Sequence, residues 1–126
     1  MTYLTADPIV VDEAPHERLD ADVGASVEFL GIVRGHEEGR PVAGLDYEAY
    51  EPMAHRLLAR LLEHAKQRWP LLEVTVRHRL GRVAAGEVAV LIRVRAAHRH
   101  EAFEACHFLI DTIKESVPIW KRAIPC

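Results

Sequence analysis

The sequence has few cysteines, no long apolar run and little net charge, and each absence excludes a class of protein. The two cysteines, Cys106 and Cys126, form no C-x-x-C pair, so neither a disulfide framework nor a structural zinc site is expected. The longest apolar runs, such as "VAAGEVAVLI", are shorter than the roughly 20 residues that a membrane-spanning helix needs. The N-terminus "MTYLTADPIV" lacks the basic and apolar segments of a secretion signal, which favours a cytoplasmic protein.

The net charge of −3 argues against a nucleic-acid or anionic-membrane partner. The charges are nevertheless unevenly distributed, because acidic residues dominate the first fifty positions and basic residues the last third. The late cations are Arg93, Arg95, Arg99, Lys114, Lys121 and Arg122. If the fold brings some of them together, they form a local anion site on an acidic protein.

The length of 126 residues and the 49% apolar content predict a single domain over residues 1–126. Alternating apolar residues predict strands in several segments. These are "PIVVD", "GASVEFLGIVR", "VAGLDYEAY", "LLEVTVRHRL" and "EVAVLIRVRAA". The last two are expected to form a hairpin through "GRVAAG", and "APHERLDAD" is expected to be a short polar helix or a turn.

Two helices are predicted from apolar residues that recur every three or four positions. The first runs from Pro52 to Trp69, with a proline in its first turn and Pro70 preventing continuation. The second runs from about Arg99 to Val117 and ends at Pro118. Strands and helices in this order predict an α+β fold.

His98 and Arg99 form the first candidate site, because they lie where the last long strand gives way to the second helix. Unpaired backbone N–H groups and the positive end of the helix dipole favour an anion there. Alternatively, His98 only caps the helix and Arg99 is solvated. A metal site made by His98, His100 and His107 is disfavoured, because no carboxylate or cysteine at ligand spacing completes the set.

Lys114 and Lys121 form the second candidate site. Lys114 follows an apolar residue near the end of the second helix, where a lysine also complements the helix dipole without any catalytic role. Lys121 follows Pro118, and we expect Ile119 and Trp120 to anchor this segment in apolar surface. That anchoring would fix Lys121 opposite Lys114.

The segment "FLGIVRGHEEGRP" is the third candidate, since its Gly-bounded loop carries Arg34, His36 and Arg40 after a strand. Loops on rigid scaffolds often cover ligands. The alternative is a charged hairpin connection, in which Glu37 and Glu38 are simply solvated.

Three segments in order resemble the large, catalytic subunits of molybdopterin synthase. They are "FLGIVRGHEEGRPVAGLDYEAYEPMA", "RWPLLEVTVRHRLGRVAAGEVAVLIRVRAAHRHEAFEAC" and "IDTIKESVPIWKR". The resemblance implies an α/β hammerhead with additional antiparallel β structure. It also implies transfer of sulfur to cyclic pyranopterin monophosphate from the thiocarboxylated Gly-Gly tail of a small ubiquitin-like subunit. This reaction builds the dithiolene of the molybdenum cofactor, and the large subunit is expected to need no cofactor of its own.

The resemblance also assigns residues and an assembly. It implies catalytic roles for Lys114 and Lys121 and a homodimer flanked by two small subunits, with both large subunits contributing to each site. The residues that fall where the family binds the pterin are Ile32, Val33, Arg34, His98, Arg99, Lys121, Arg122 and Ala123.

Two alternatives remain at this point. Because the family pattern usually continues beyond "WKR", the first is a non-catalytic paralogue that binds a pterin or another anion. The second is a hydrolase that uses Cys106 or a histidine pair, which is disfavoured because Cys106 lies on the apolar stripe of its helix.

Overall fold

Two four-stranded sheets and two long helices make up the regular structure in the computed structural model, which describes residues 3–11 and 18–126. The strands are β1 (Leu4–Thr5), β2 (Ala25–Ile32), β3 (His36–Glu37), β4 (Arg40–Ala49), β5 (Leu71–Arg79), β6 (Gly81–Ala84), β7 (Val88–Ala96) and β8 (Ile119–Pro125). The helices are α1 (Glu51–Arg68) and α2 (Arg99–Ser116).

The first sheet has the strand order β1-β5-β7-β2 and supports both helices. Its central strand β7 pairs antiparallel with β5 and β2, whereas the short β1 pairs parallel with β5. One face buries apolar side chains such as Val76, Ile92 and Val94. The other face carries cross-strand ion pairs, including Glu28 with Arg93 at 2.7 Å.

Both helices bury one apolar face against this sheet and against each other. In α2 the buried face is centred on Ala102, Ala105 and Leu109, whose relative exposures are all 0%. Phe103, although apolar, is 61% exposed. Small alanines let the helix backbone approach the sheet closely, and Phe103 is left on the outer side.

The second sheet is built around β4, which pairs antiparallel with β3, β6 and β8. Gly44 is required at the contact with β6, because a Cβ atom there would lie 2.2 Å from the carbonyl oxygen of Val83. A smaller apolar cluster of Val33, Leu45, Val83 and Ala89 joins this sheet to the first one.

The structure confirms the α+β class, both helices, the β5–β7 hairpin pairing and the antiparallel β structure beyond the main sheet. Two local predictions are wrong, since residues 8–11 form no strand and "GRVAAG" contains β6 rather than a plain connection. The tail, for which no regular structure was predicted, forms β8. Residues 14–17 of "APHERLDAD" lie outside the described part. No helix in the described ranges is both long and apolar enough to cross a membrane.

Candidate functional site

A pocket of about 400 Å³ lies between the two sheets, beside the C-terminal end of α2. We call it the intersheet pocket. Its apolar lining includes Phe29 of β2, Ile113 of α2 and Ile119 of β8, together with Ile32 and Val33. A pocket of this volume with apolar walls suits a small heterocyclic ligand that becomes buried when it binds.

Three cations line this pocket, and each comes from a different part of the chain. Arg34 follows β2, Lys114 lies in the last turn of α2, and Lys121 lies in β8. Among the described residues, neither Arg34 nor Lys114 has an acidic side chain within ion-pair distance. The pocket therefore combines apolar walls with positive charge, which is the chemistry needed to bind an anionic heterocycle.

Lys121 is held by backbone pairing rather than by the aromatic anchor that the sequence suggested. It lies opposite Tyr47 in the β4–β8 ladder. The side chain of Ile119 is half-buried and contacts the main core, but Trp120 is 52% exposed. The prediction that Trp120 anchors the tail in apolar surface is therefore wrong, because a strand fixed by seven residue pairs needs no such anchor.

Two residues that the sequence analysis did not single out, Tyr47 and His78, also line the pocket. Their rings meet edge to face with centroids 5.0 Å apart. His78 is 8% exposed, and its Nδ1 donates a hydrogen bond of 2.8 Å to the carbonyl oxygen of Arg79. Burial lowers the pKa of His78 and outweighs the opposing effect of this backbone hydrogen bond, so the imidazole is neutral near pH 7.

The pKa of Tyr47 is raised, first by burial and second by the negative charge of Glu37. The phenol therefore keeps its proton and can donate a hydrogen bond into the pocket. Sequence reasoning missed Tyr47 and His78 because each occupies an apolar position in a strand pattern, where such residues usually serve the core. The available signal was that each of the two strands has a polar residue at a position where the alternating pattern predicts a buried side chain.

The loop predicted to cover a ligand is a short hairpin made by β3 and β4. Of its three basic residues, only Arg34 lines the intersheet pocket, and Arg40 lines a separate shallow depression. The hairpin alternative is therefore correct for the backbone. Glu37 is nevertheless not simply solvated, because its carboxylate also lines the pocket.

His98 and Arg99 lie at the other end of α2, in a shallow surface depression that we call the α2 N-terminal hollow. Its lining residues are Gly24, Ala97, His98, Arg99, His100, Phe103 and Glu104. His98 is the residue before the helix, as predicted, but its side chain makes no capping hydrogen bond. At about 1.5 Å per residue, Arg99 and Lys114 are roughly 22 Å apart along the helix axis. One chain does not bring these two sets of cations together.

Arg122 and Ala123 are not brought to the intersheet pocket either. Arg122 points to the other face of β8, where its Nη2 lies 3.4 Å from Glu48 and 3.6 Å from Asp46. Ala123 lines the depression that also contains Arg40. Their assignment to the pterin site stays a prediction.

The hydrolase alternative fails at Cys106. This residue is 5% exposed on the buried face of α2, and burial raises the pKa of its thiol. A nucleophilic cysteine needs access and an easily formed thiolate. His100 and His107 each contact a carboxylate on their own helix, Glu104 at 2.7 Å and Asp111 at 3.2 Å, rather than each other.

Similarity to known proteins covers nearly the whole chain. The family model described as MoaE protein matches residues 4–116. The molybdopterin synthase catalytic subunit of Thermoplasma volcanium is 50% identical over 103 residues, which cover 82% of this chain and 75% of that protein. The crystal structure of molybdopterin synthase from Staphylococcus aureus matches with a TM-score of 0.88 and 35% identity, covering 98% of this chain and 90% of that one.

A further solved structure contains two kinds of subunit. It is a protein–protein complex of subunits 1 and 2 of the molybdopterin-converting factor from Helicobacter pylori. Its matched chain has a TM-score of 0.69 and 27% identity, over 83% of this chain and 73% of that one.

Proposed function

This chain belongs to the MoaE protein family, whose members include the molybdopterin synthase catalytic subunits, and we propose that its intersheet pocket is where sulfur reaches the pterin precursor. Its activity is the sulfur transfer of molybdenum cofactor biosynthesis, as in the catalytic subunits that it resembles. The reaction takes place between two anions, a cyclic phosphate and a thiocarboxylate.

The observation that carries the proposal is the convergence of Arg34, Lys114 and Lys121 on one apolar pocket. Cations placed beside apolar walls interact strongly with anions, because little water screens them. Lys114 and Lys121 steer the thiocarboxylate and stabilise the negative charge that develops as sulfur is transferred. The apolar walls and Tyr47 hold the heterocycle. Because the same pocket has lysines that can act on sulfur and walls that can hold the heterocycle, we favour catalysis over the non-catalytic alternative.

The separation of the two cationic sets supports a homodimer in which each site draws on two chains. His98 and Arg99 are too far from Lys114 to act in the same site of one chain. A second copy can place its α2 N-terminal hollow beside the intersheet pocket, so that the phosphate of the precursor meets Arg99 of one chain and the sulfur centre meets the lysines of the other. Oligomers with isologous symmetry form two such sites at once.

A small sulfur-carrier subunit completes the assembly. The two-subunit complex from Helicobacter pylori supports a small partner of this kind. We propose that its Gly-Gly tail enters the intersheet pocket with its terminal thiocarboxylate toward Lys114 and Lys121, giving a heterotetramer of two large and two small subunits. The chain itself supplies positioning and charge, since the partner carries the sulfur. A cytoplasmic location remains a prediction.

The decisive experiment mixes the protein with a thiocarboxylated small subunit and the cyclic precursor, and measures the dithiolene product by mass spectrometry. We expect product with the wild type and with the surface variant Lys66→Ala, and little product with Lys114→Ala. No product from the wild type, with a small subunit that is active on another catalytic subunit, would reject the catalytic proposal. Precursor binding without turnover would then support the non-catalytic alternative.

A further inference from the structure

Glu37 is the single acidic residue among the described residues that line the intersheet pocket. Its side chain is 25% exposed. A carboxylate is unexpected in a site for two anions, because it repels both. Its presence therefore calls for a role other than binding.

The backbone of Glu37 is held in place by a tight hairpin. Glu37 pairs with Arg40 across a two-residue turn in which Glu38 and Gly39 have φ angles of 51° and 78°. Positive φ at both turn residues is typical of the turns whose twist matches that of the flanking strands. The side chain at position 37 therefore leaves from a defined point beside β4.

Glu37 contacts Lys121, one of the two lysines proposed to act on sulfur. Its Oε1 lies 3.2 Å from the Nζ of Lys121. The two residues belong to short strands, β3 and β8, that both pair with β4. Tyr47 of β4 lies opposite Lys121, and Glu37, Tyr47 and Lys121 all line the intersheet pocket.

We propose that Glu37 is a positioning residue that holds the ammonium group of Lys121 at the pocket while weakening the binding of anions there. The inference rests on the proposed function of the pocket. Lysine has a flexible four-carbon stem, and an ion pair at 3.2 Å restricts where its charge can lie. Lys114 has no such partner among the described residues, so it serves as an internal reference.

The two effects of Glu37 act on different kinetic constants. A restrained Lys121 favours turnover, since loss of correct placement by about 1 Å can cost up to a hundredfold in rate. The negative charge opposes binding of the anionic precursor, since like charges in a cleft reduce its local concentration. Removing the charge while keeping the side-chain shape therefore lowers kcat and lowers KM together.

The test compares Glu37→Gln with Glu38→Gln, an identical change of charge one residue away, on an exposed turn position. In the assay with thiocarboxylated small subunit, we expect Glu37→Gln to lower kcat by about tenfold and KM for the precursor by roughly threefold. Glu38→Gln should leave both constants within about twofold of wild type. A purely structural loosening of the hairpin would instead lower kcat and raise KM.

A second measurement needs no substrate. NMR relaxation of the Cε methylene groups reports how freely each lysine side chain moves. In Glu37→Gln the order parameter of Lys121 should fall, while that of Lys114 stays at its wild-type value. Both should be unchanged in Glu38→Gln.

The outcomes separate this inference from the proposed function. If the wild type forms no product, the proposed function is wrong. The positioning role is tested independently of product formation, because unchanged motion of the Lys121 side chain in Glu37→Gln would overturn it. If the wild type is active but Glu37→Gln and Glu38→Gln behave alike in kcat and KM, the inference is wrong while the function stands.

Discussion

The two ends of helix α2 carry cations in opposite settings. At the C-terminal end, Lys114 lines a pocket between the two sheets, and Lys121 lines the same pocket. At the N-terminal end, His98 and Arg99 lie in a shallow hollow, and the side chain of His98 is 81% exposed. The first setting can enclose a small ligand, whereas the second is open to solvent, as expected for residues that contribute to a site on another chain.

This difference shows that cationic residues in one sequence need not form one site in one chain. The resemblance assigned Arg34, Lys121, His98 and Arg99 to the same ligand. The fold places the first two on one side of the molecule and the last two about a helix length away. The proposed dimer would reconcile the assignment with the geometry. The following predictions test whether the two ends differ as described.

The largest effect is expected at the C-terminal end. Lys114→Ala and Lys121→Ala should each lower kcat by about a hundredfold or more, because each removes a charge placed where negative charge develops. Single-turnover rates measure this, with circular dichroism to verify folding. Lys66→Ala, an exposed lysine on α1, is the control. The double variant should lose much less than the product of the single losses if the two lysines act as a unit. Full activity in Lys121→Ala would contradict the assignment.

The next largest effect is a gain. Lys114→Ala chains co-expressed with Arg99→Ala chains should form some dimers in which one site has both intact partners. If chains pair at random, about a quarter of the sites should be intact. At precursor concentrations well below KM, about a quarter of wild-type activity should therefore return, which is more than either variant alone supports. Product formation by the purified mixture measures it. Activity no higher than the average of the two variants would mean that both ends act within the same chain.

A smaller effect is expected at the N-terminal end alone. Arg99→Ala should weaken binding of the precursor by about tenfold through loss of a charge-assisted hydrogen bond to phosphate, with little change in the chemical step. Titration calorimetry at two salt concentrations measures the affinity, which should fall as salt rises. His107→Ala, on the exposed face of the same helix, is the control. Unchanged affinity in Arg99→Ala would remove the hollow from the site.

The smallest effect contrasts a buried histidine with an exposed one. Burial lowers the pKa of His78 in the folded chain below the ordinary histidine pKa of about 6.5. When the pH falls below about 6.5, the unfolded chain therefore binds more protons than the folded chain. Stability should therefore fall as pH drops from about 6.5 toward the lower folded value, by at most about 1.4 kcal/mol per pH unit. Denaturant unfolding at several pH values should show a shallower decline in His78→Gln than in wild type. An equal change in slope in His98→Gln would contradict the contrast.

The sequence revealed the elements that depend on local pattern. Both helices, the β5–β7 pair and the two lysines near the end of α2 follow from apolar spacing, proline positions and charge. It did not reveal β6 or β8, because each of these strands is defined by its pairing with β4. The same reason explains why the sequence did not reveal the pocket roles of Tyr47, His78 and Glu37. They line the pocket because the two sheets approach each other, and nothing in their own segments indicates that approach.

The pairing of β8 with β4 also has a consequence for local unfolding. Among the described strands, β8 pairs with β4 alone, and the side chains of Glu48 and Arg122 lie 3.4 Å apart across this pair. Both helices and the first sheet are made from residues that precede β8, and their core contains little of it. We therefore expect β8 to separate from β4 at a lower free-energy cost than global unfolding. Lys121 would then leave the pocket while the main core stays folded.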